Sequence, residues 1–197
     1  MNIRKYGAIL GVAAALLLVS GVWFFAGKKG ENFSPRLNLA SFFSSIVDSG
    51  EDSVSVESPI KEEGSHFSYT HPVYKYSFFY PKGFIASPMK YSEDSETLVV
   101  EKGDRQGFQI FAAPFEEENA LTAERIAQDL PDLVMKNAVK VTFGGNNIQG
   151  VAFSSHDEEV GDTYEVWFTY GGNLYQVMAY KEFEKGLQDI LATFKFE

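Results

Sequence analysis

From Tyr6 to Ala26 the chain reads YGAILGVAAALLLVSGVWFFA, twenty-one residues without a charged side chain. As a helix rising 1.5 Å per residue, such a run covers ~31 Å, against about 30 Å for the hydrocarbon core of a bilayer. Arg4 and Lys5 precede it, Lys28 and Lys29 follow it, and Trp23, Phe24 and Phe25 gather at its far end. Aromatic side chains are enriched at that depth, where hydrocarbon meets headgroups. The apolar part of a cleaved signal peptide is shorter, about 7–15 residues. Cleavage at the small residues Val19 and Gly21 would also strand the aromatic cluster at a new N-terminus. The run therefore predicts an uncleaved anchor, with the lipid bilayer as its partner and a tail of residues 1–5 before it. The slight positive excess on the N-terminal side predicts a single-pass cell-membrane protein with a cytoplasmic N-terminus and an extracytoplasmic remainder.

Residues 27–65 change character: serine-rich, acidic, with two prolines and no sustained period. Such a stretch buries too little apolar surface to offset its ordering entropy and reads as a flexible tether. One piece of it, residues 37–47, is apolar enough to form a short helix on a membrane or a partner. Cysteine is absent from all 197 residues, which excludes disulfides, thiolate nucleophiles, cysteine-bound zinc and a lipidated cysteine. A net charge of −10 argues against nucleic acid as a partner, because phosphate binding needs a basic face.

Residues 66–197 carry the signals of a folded α+β domain. Strands are expected at 76–80 (YSFFY, ended by Pro81), 84–87, 97–101 and 108–115. In FQIFAAPF, Ile110 and Phe111 point to opposite faces, so that strand should be covered on both sides. Two hairpins follow. Residues 139–143 and 148–154 flank Gly144-Gly145-Asn146-Asn147, and residues 163–170 and 174–180 flank Gly171-Gly172-Asn173. Glycine and asparagine tolerate the positive φ that tight turns require. Ala123, Ile126, Ala127 and Leu130 have helical spacing, with Thr122 as N-cap and Pro131 as stop. Phe183, Leu187, Ile190, Leu191 and Phe194 form a second helical stripe in which Gly186 is a mild weakness. Short, hairpin-linked strands between helices predict a mostly antiparallel sheet flanked by helices. On the strand 163–170, Trp167 points away from Tyr164, Val166, Phe168 and Tyr170, and its expected cover is the C-terminal stripe.

The segments YKYSFFYPKGF (74–84), LTAERIAQDLPDL (121–133), EVWF (165–168) and LYQ (174–176) resemble the PsbP-like domains, over roughly residues 67–197. That resemblance implies an α/β/α sandwich on a mostly antiparallel sheet. Its members include an extrinsic subunit of photosystem II, Ran-binding import factors of the Mog type and bacterial envelope lipoproteins, which are mainly binding or accessory modules. The chain lacks the lipoproteins' cysteine, and the photosynthetic subunit lacks the anchor expected here. None of that subunit's ion-binding residues matches by position.

Motifs for nucleophilic, zinc-hydrolytic and phosphate-loop chemistry are missing. His156, Asp157, Glu158, Glu159 and Asp162 place one imidazole and four carboxylates within seven residues. Oxygen-rich loops suit calcium, but the EF-hand spacing with its central glycine is absent. A solvated acidic turn is the plainer account, with a cation site or a metal-assisted hydrolase as the alternative. Glu116-Glu117-Glu118 suits the start of a helix. His66 and His71 should fall on opposite faces of a strand and hold no metal. Tyr69, Tyr74, Tyr91 and Tyr170 sit at element ends as candidates to line a groove, and Trp167, Tyr170 and Tyr91 are candidates for a partner face. The expectation is a membrane-tethered, extracytoplasmic binding or accessory domain that takes no cofactor and performs no catalysis, with an unknown protein or small ligand as partner. The alternatives are the hydrolase and a purely structural envelope spacer.

Overall fold

The computed structural model describes residues 59–90, 94–103, 105–115, 121–157 and 160–197. The expected anchor and residues 27–58 of the expected tether lie outside them. Among the described residues no helix is long and apolar enough to cross a membrane. Strands β1 (Ile60–Glu63), β2 (His66–Thr70), β3 (Tyr76–Pro81), β4 (Ile85–Lys90), β5 (Glu96–Glu101) and β6 (Gly107–Pro114) come first. Helix α1 (Ala123–Asp129) leads into β7 (Lys136–Phe143), β8 (Ile148–Asp157), β9 (Gly161–Tyr170) and β10 (Asn173–Tyr180). A 3₁₀ turn (Lys181–Phe183), helix α2 (Glu184–Ala192) and the short β11 (Lys195–Phe196) follow.

The strands form a four-stranded sheet ordered β1-β2-β3-β11 and a seven-stranded sheet ordered β4-β5-β6-β10-β9-β8-β7. Every pair is antiparallel. One face of the larger sheet packs against the smaller sheet and α2 in a single core that joins Tyr76 and Phe78 to Phe108, Phe168, Val177, Leu187 and Phe194. The other face carries a second cluster of Ile126, Val151, Phe153 and Trp167 beneath α1. The α+β class and the antiparallel sheet are as expected, but the α/β/α sandwich needs correction. On one side a second sheet shares the layer with the helix, because α2 is too short to cover seven strands. That sheet recruits residues expected in the tether: β1 pairs with β2 from Ile60↔Tyr69 to Glu63↔His66.

Local chemistry explains the boundaries. Thr122 caps α1 by accepting the backbone N–H of Arg125, and the helix stops at Asp129, ahead of Pro131. The β9–β10 loop is only Gly171 and Gly172, at φ 58° and 78°, so Asn173 already belongs to the strand. Two positive φ values in succession are the signature of a turn that matches the twist of a hairpin. Trp167 is buried, as expected, but under α1. Val166 and Phe168 take the side facing α2, and alternation sends Trp167 to the opposite face, where its ring meets Phe153 edge-on at 5.5 Å. Its indole N–H donates to Glu165 Oε2 at 2.8 Å, and Thr163 donates to Oε1 at 3.0 Å. Thr163 and Glu165, whose polarity marked this face as wet, are buried with it.

Gly186 also reads differently in the structure. A Cβ there would stand 2.5 Å from the Phe183 ring, so the glycine is what lets that ring fold back on α2. Gly186→Ala, which ordinarily gains up to about 1 kcal/mol in a helix, is expected to destabilise this protein in denaturant unfolding. Trp167→Ala is expected to lose about 3–5 kcal/mol in the same assay, the usual loss for a buried large ring.

Burial also fixes the alkaline limit of the fold. Desolvation raises the phenol of Tyr80 to about 12 and pushes Tyr69, Tyr76 and Tyr175 higher. A neutral group whose pKa is raised on folding stabilises fully below the unfolded value, about 10 for tyrosine, and that stability is lost as pH rises past it. Ionisation of these four phenols, followed residue by residue in NMR titration, should therefore appear together with loss of tertiary circular dichroism above about pH 10. Ionisation of Tyr69, Tyr76, Tyr80 or Tyr175 in a still-folded chain would contradict that coupling.

Candidate functional site

Alternation on β8 puts Gly150 and Ala152 in register with Phe168 and Val166 of β9, on the face that α2 covers. On that face α2 packs on β3 and β10 and leaves a hollow toward the edge strand β7. The hollow is a cleft of about 470 Å³. Val141 and Phe143 of β7, Tyr164 and Val166 of β9, and Leu191 and Ala192 of α2 form its apolar walls. Thr142, Asn147 and Gln188 supply a hydroxyl and two amides, and among the described residues no carboxylate, imidazole or amine lines it. Sites for small ligands commonly have this volume and this mixture of apolar wall and few polar groups. Lys181 stands near its wall, 5.4 Å from the Tyr164 ring, paired with Glu184 at 2.6 Å and donating to Ser154 at 3.0 Å.

A second cleft of about 410 Å³ opens at the same end of the sheet, lined by Leu121, Thr122, Lys140, Asn146, Gln149, Thr169 and Tyr170. Asn147 borders both clefts, so the β7–β8 turn is the lip between them. That lip is tied to the C-terminal segment. Gly145 N–H donates to the Phe194 carbonyl at 2.8 Å, and Phe196 N–H donates to Asn146 Oδ1 at 2.7 Å. Gly144, at φ 70°, approaches so closely that a Cβ would lie 2.2 Å from the Phe194 oxygen. Glycine is therefore required there on two counts, backbone conformation and space. Asn147 takes a φ of 49°, which asparagine adopts more readily than most residues.

Of the residues named from sequence, Tyr170 does border a cleft, 39% exposed, its ring stacked on Phe196 at 3.8 Å between centroids. Tyr69 belongs to the core, because it faces inward on β2 beside Tyr76 and Phe78. Tyr74 is half-buried, donating its hydroxyl to the Asp94 carbonyl at 3.1 Å. Trp167 is sealed beneath α1 and offers nothing to a partner, and Tyr91 lies outside the described residues. His156 and Asp162 are opposite each other on β8 and β9, and His156 Nδ1 donates to Asp162 Oδ1 at 2.7 Å. The side chains of Asp157, Glu158 and Glu159 lie outside the described residues. Among the described residues no group of three or more histidines and acids is placed to hold a metal.

His66 is exposed while His71 is buried. His71 Nδ1 accepts the backbone N–H groups of Val73 and Tyr74 at 3.1 and 3.0 Å, which leaves Nε2 to donate to Glu96 at 3.0 Å. This bond ties the β2–β3 turn of the small sheet to β5 of the large one. The cleft residues Phe143, Asn147 and Gln188 were not read as a site from sequence. Their signal was the apolar alternation Val139, Val141, Phe143 on a strand followed by a positive-φ turn.

No family model and no curated protein matches this chain. Among solved structures it is similar to the solution structure of cyanobacterial PsbP (CyanoP) from Synechocystis sp. PCC 6803, at 14% identity and a TM-score of 0.48, covering 75% of this chain and 98% of that one. It is also similar to a crystal structure from Bacteroides thetaiotaomicron VPI-5482, at 18% identity and a TM-score of 0.44, covering 66% of this chain and 48% of that one. At these values the likeness says nothing of activity, ligand or partner.

The His156–Asp162 pair has its own test. The hydrogen bond from His156 is the main cause holding the Asp162 carboxyl below its usual value. A carboxylate whose pKa is lowered on folding stabilises above its unfolded value, and this is lost as pH falls through the folded one. In carboxyl NMR titrations His156→Ala should return Asp162 toward its ordinary value. Millimolar calcium should leave the thermal midpoint unchanged, whereas a saturable rise abolished by Asp162→Asn would establish a cation site.

Proposed function

We propose that this chain is a membrane-tethered, extracytoplasmic binding or accessory domain of the PsbP-like type, anchored through residues 6–26, which holds its partner at the α2–β7 cleft and performs no catalysis. The observation that carries this reading is the chemistry of that cleft: apolar walls with amide and hydroxyl groups and, among its lining residues, no group suited to proton transfer or metal ligation at neutral pH. Such a lining recognises a shape and a few hydrogen bonds. The uncharged run and the flanking positive charges support the anchor and its orientation.

The test expresses the full chain in a bacterial host and replaces Gln188, at the cleft, or Lys102, on the β5–β6 turn, with a photo-crosslinking amino acid. The expected result is a membrane-fraction protein whose folded part is degraded by protease added outside the inner membrane. A discrete crosslinked species should form from position 188 and not from 102. A protein recovered in the soluble fraction would overturn the tether, and equal crosslinking from the two positions would overturn the cleft.

A further inference from the structure

A sheet edge presents unpaired N–H and C=O groups, and proteins protect such edges by shortness, charge, proline or bulges. Among the described residues the two sheets end in β1, β11, β4 and β7. Three of these are protected. β1 has four residues, three of them charged, and β11 has only two. β4 carries Pro88 in its interior, a residue without an N–H to donate. β7 is less protected than these: eight residues without proline, whose irregular register is confined to the step between Lys136 and Val139 and whose one charge beyond that step is Lys140. From Val139 to Phe143 the strand pairs regularly with β8 on one side. On its α2-facing side Val139 is 56% exposed, and Val141 and Phe143 form one wall of the cleft.

An edge and a trough side by side fit one kind of occupant. We propose that β7 is a strand-addition site, where an extended segment of a partner polypeptide pairs with 139–143 and lays alternate apolar side chains beside Val139, Val141 and Phe143, a row whose last two residues wall the α2–β7 cleft. In this mode main-chain hydrogen bonds supply affinity and the side-chain pocket supplies selectivity. The period of two along a strand turns every second residue of the added segment to the side of Val139, Val141 and Phe143, and turns the residues between them away. β7 contributes two cations, Lys136 and Lys140, and no acid, in a chain whose net charge is −10. The favoured segment therefore has no proline, alternates valine, isoleucine or phenylalanine with polar residues, and carries acidic residues among these. The proposal rests on the binding-domain reading above and adds the identity of the occupant.

The probe is a pool of fluorescent decapeptides with valine, isoleucine or phenylalanine at alternate positions and threonine or glutamate between them, titrated into the full chain in mild detergent. Saturable binding is expected, with slowed backbone hydrogen exchange in 139–143. Methylating the backbone nitrogens of one alternate set of residues should weaken binding at least tenfold (~1.4 kcal/mol), and methylating the other set should leave it intact. A strand uses only one of its edges. Val141→Glu should abolish binding, while Ile85→Glu on the β4 edge should not change it. Equal tolerance of both methylated sets would overturn the proposal, since side chains alone would then be recognised. Absence of binding alongside persistent crosslinking from position 188 would also overturn it, and leave the cleft reading standing. Protection of β7 that rises with protein concentration and needs no peptide would assign the edge to a second copy and overturn it too.

Discussion

Phe194 is the contact on which the rest of the structure depends. Its ring is fully buried and meets Tyr76 at 5.3 Å, Phe78 at 6.0 Å, Phe168 at 5.8 Å and Phe196 at 5.5 Å. Those neighbours belong to both sheets, so one side chain at the end of α2 brings the two layers together. Aromatic pairs at such separations add about 0.5–1.5 kcal/mol each beyond the area they bury. The same residue's carbonyl accepts from Gly145, which carries the order of the core out to the turn between the clefts. Core and candidate site are thus one mechanical unit, and the geometry of the lip follows from the packing of an interior ring.

Two smaller ties hold the periphery. His71 spans the sheets through Glu96 while satisfying two backbone donors of its own turn. Arg105, at the β5–β6 turn, reaches Glu182 through Nε at 3.0 Å and Nη2 at 3.2 Å, donates to the Val160 carbonyl at 3.3 Å and lies over the Tyr180 ring at 4.8 Å. Both anchor loops whose own residues bury little. An exposed ion pair adds little stability by itself. Arg105 gains its importance from joining a turn, a hairpin end and the start of α2 in one place.

The local elements were legible wherever periodicity and turn chemistry agreed. Thr122 and Pro131 bracket α1, and the glycine-asparagine turns mark both hairpins. Legibility failed where only long-range packing decides. Nothing in Ile60–Glu63 or Lys195–Phe196 marks them as strands, because each is too short to show a period, and the second is held by a partner distant in sequence. Trp167 shows the limit clearly: alternation correctly turned it away from Phe168, but which helix covers that face is a matter of topology. Thr163 and Glu165 looked solvent-facing because a polar residue buried with its partners has the same letter as an exposed one. The clefts share this limit. The hollow of the first arises from what α2 leaves uncovered, an absence that no residue of the chain announces.

The closing pair of β11 with β3 has a consequence for synthesis. Tyr76 cannot meet Phe196 until the intervening residues have left the ribosome, and until then Phe194 has not reached its place between the layers. Contacts spanning so much sequence make folding slow, because the closure entropy of the loop must be met before the contacts reward it. Consecutive hairpins can pair as they emerge, whereas the two layers close on each other only once β11 is available to β3.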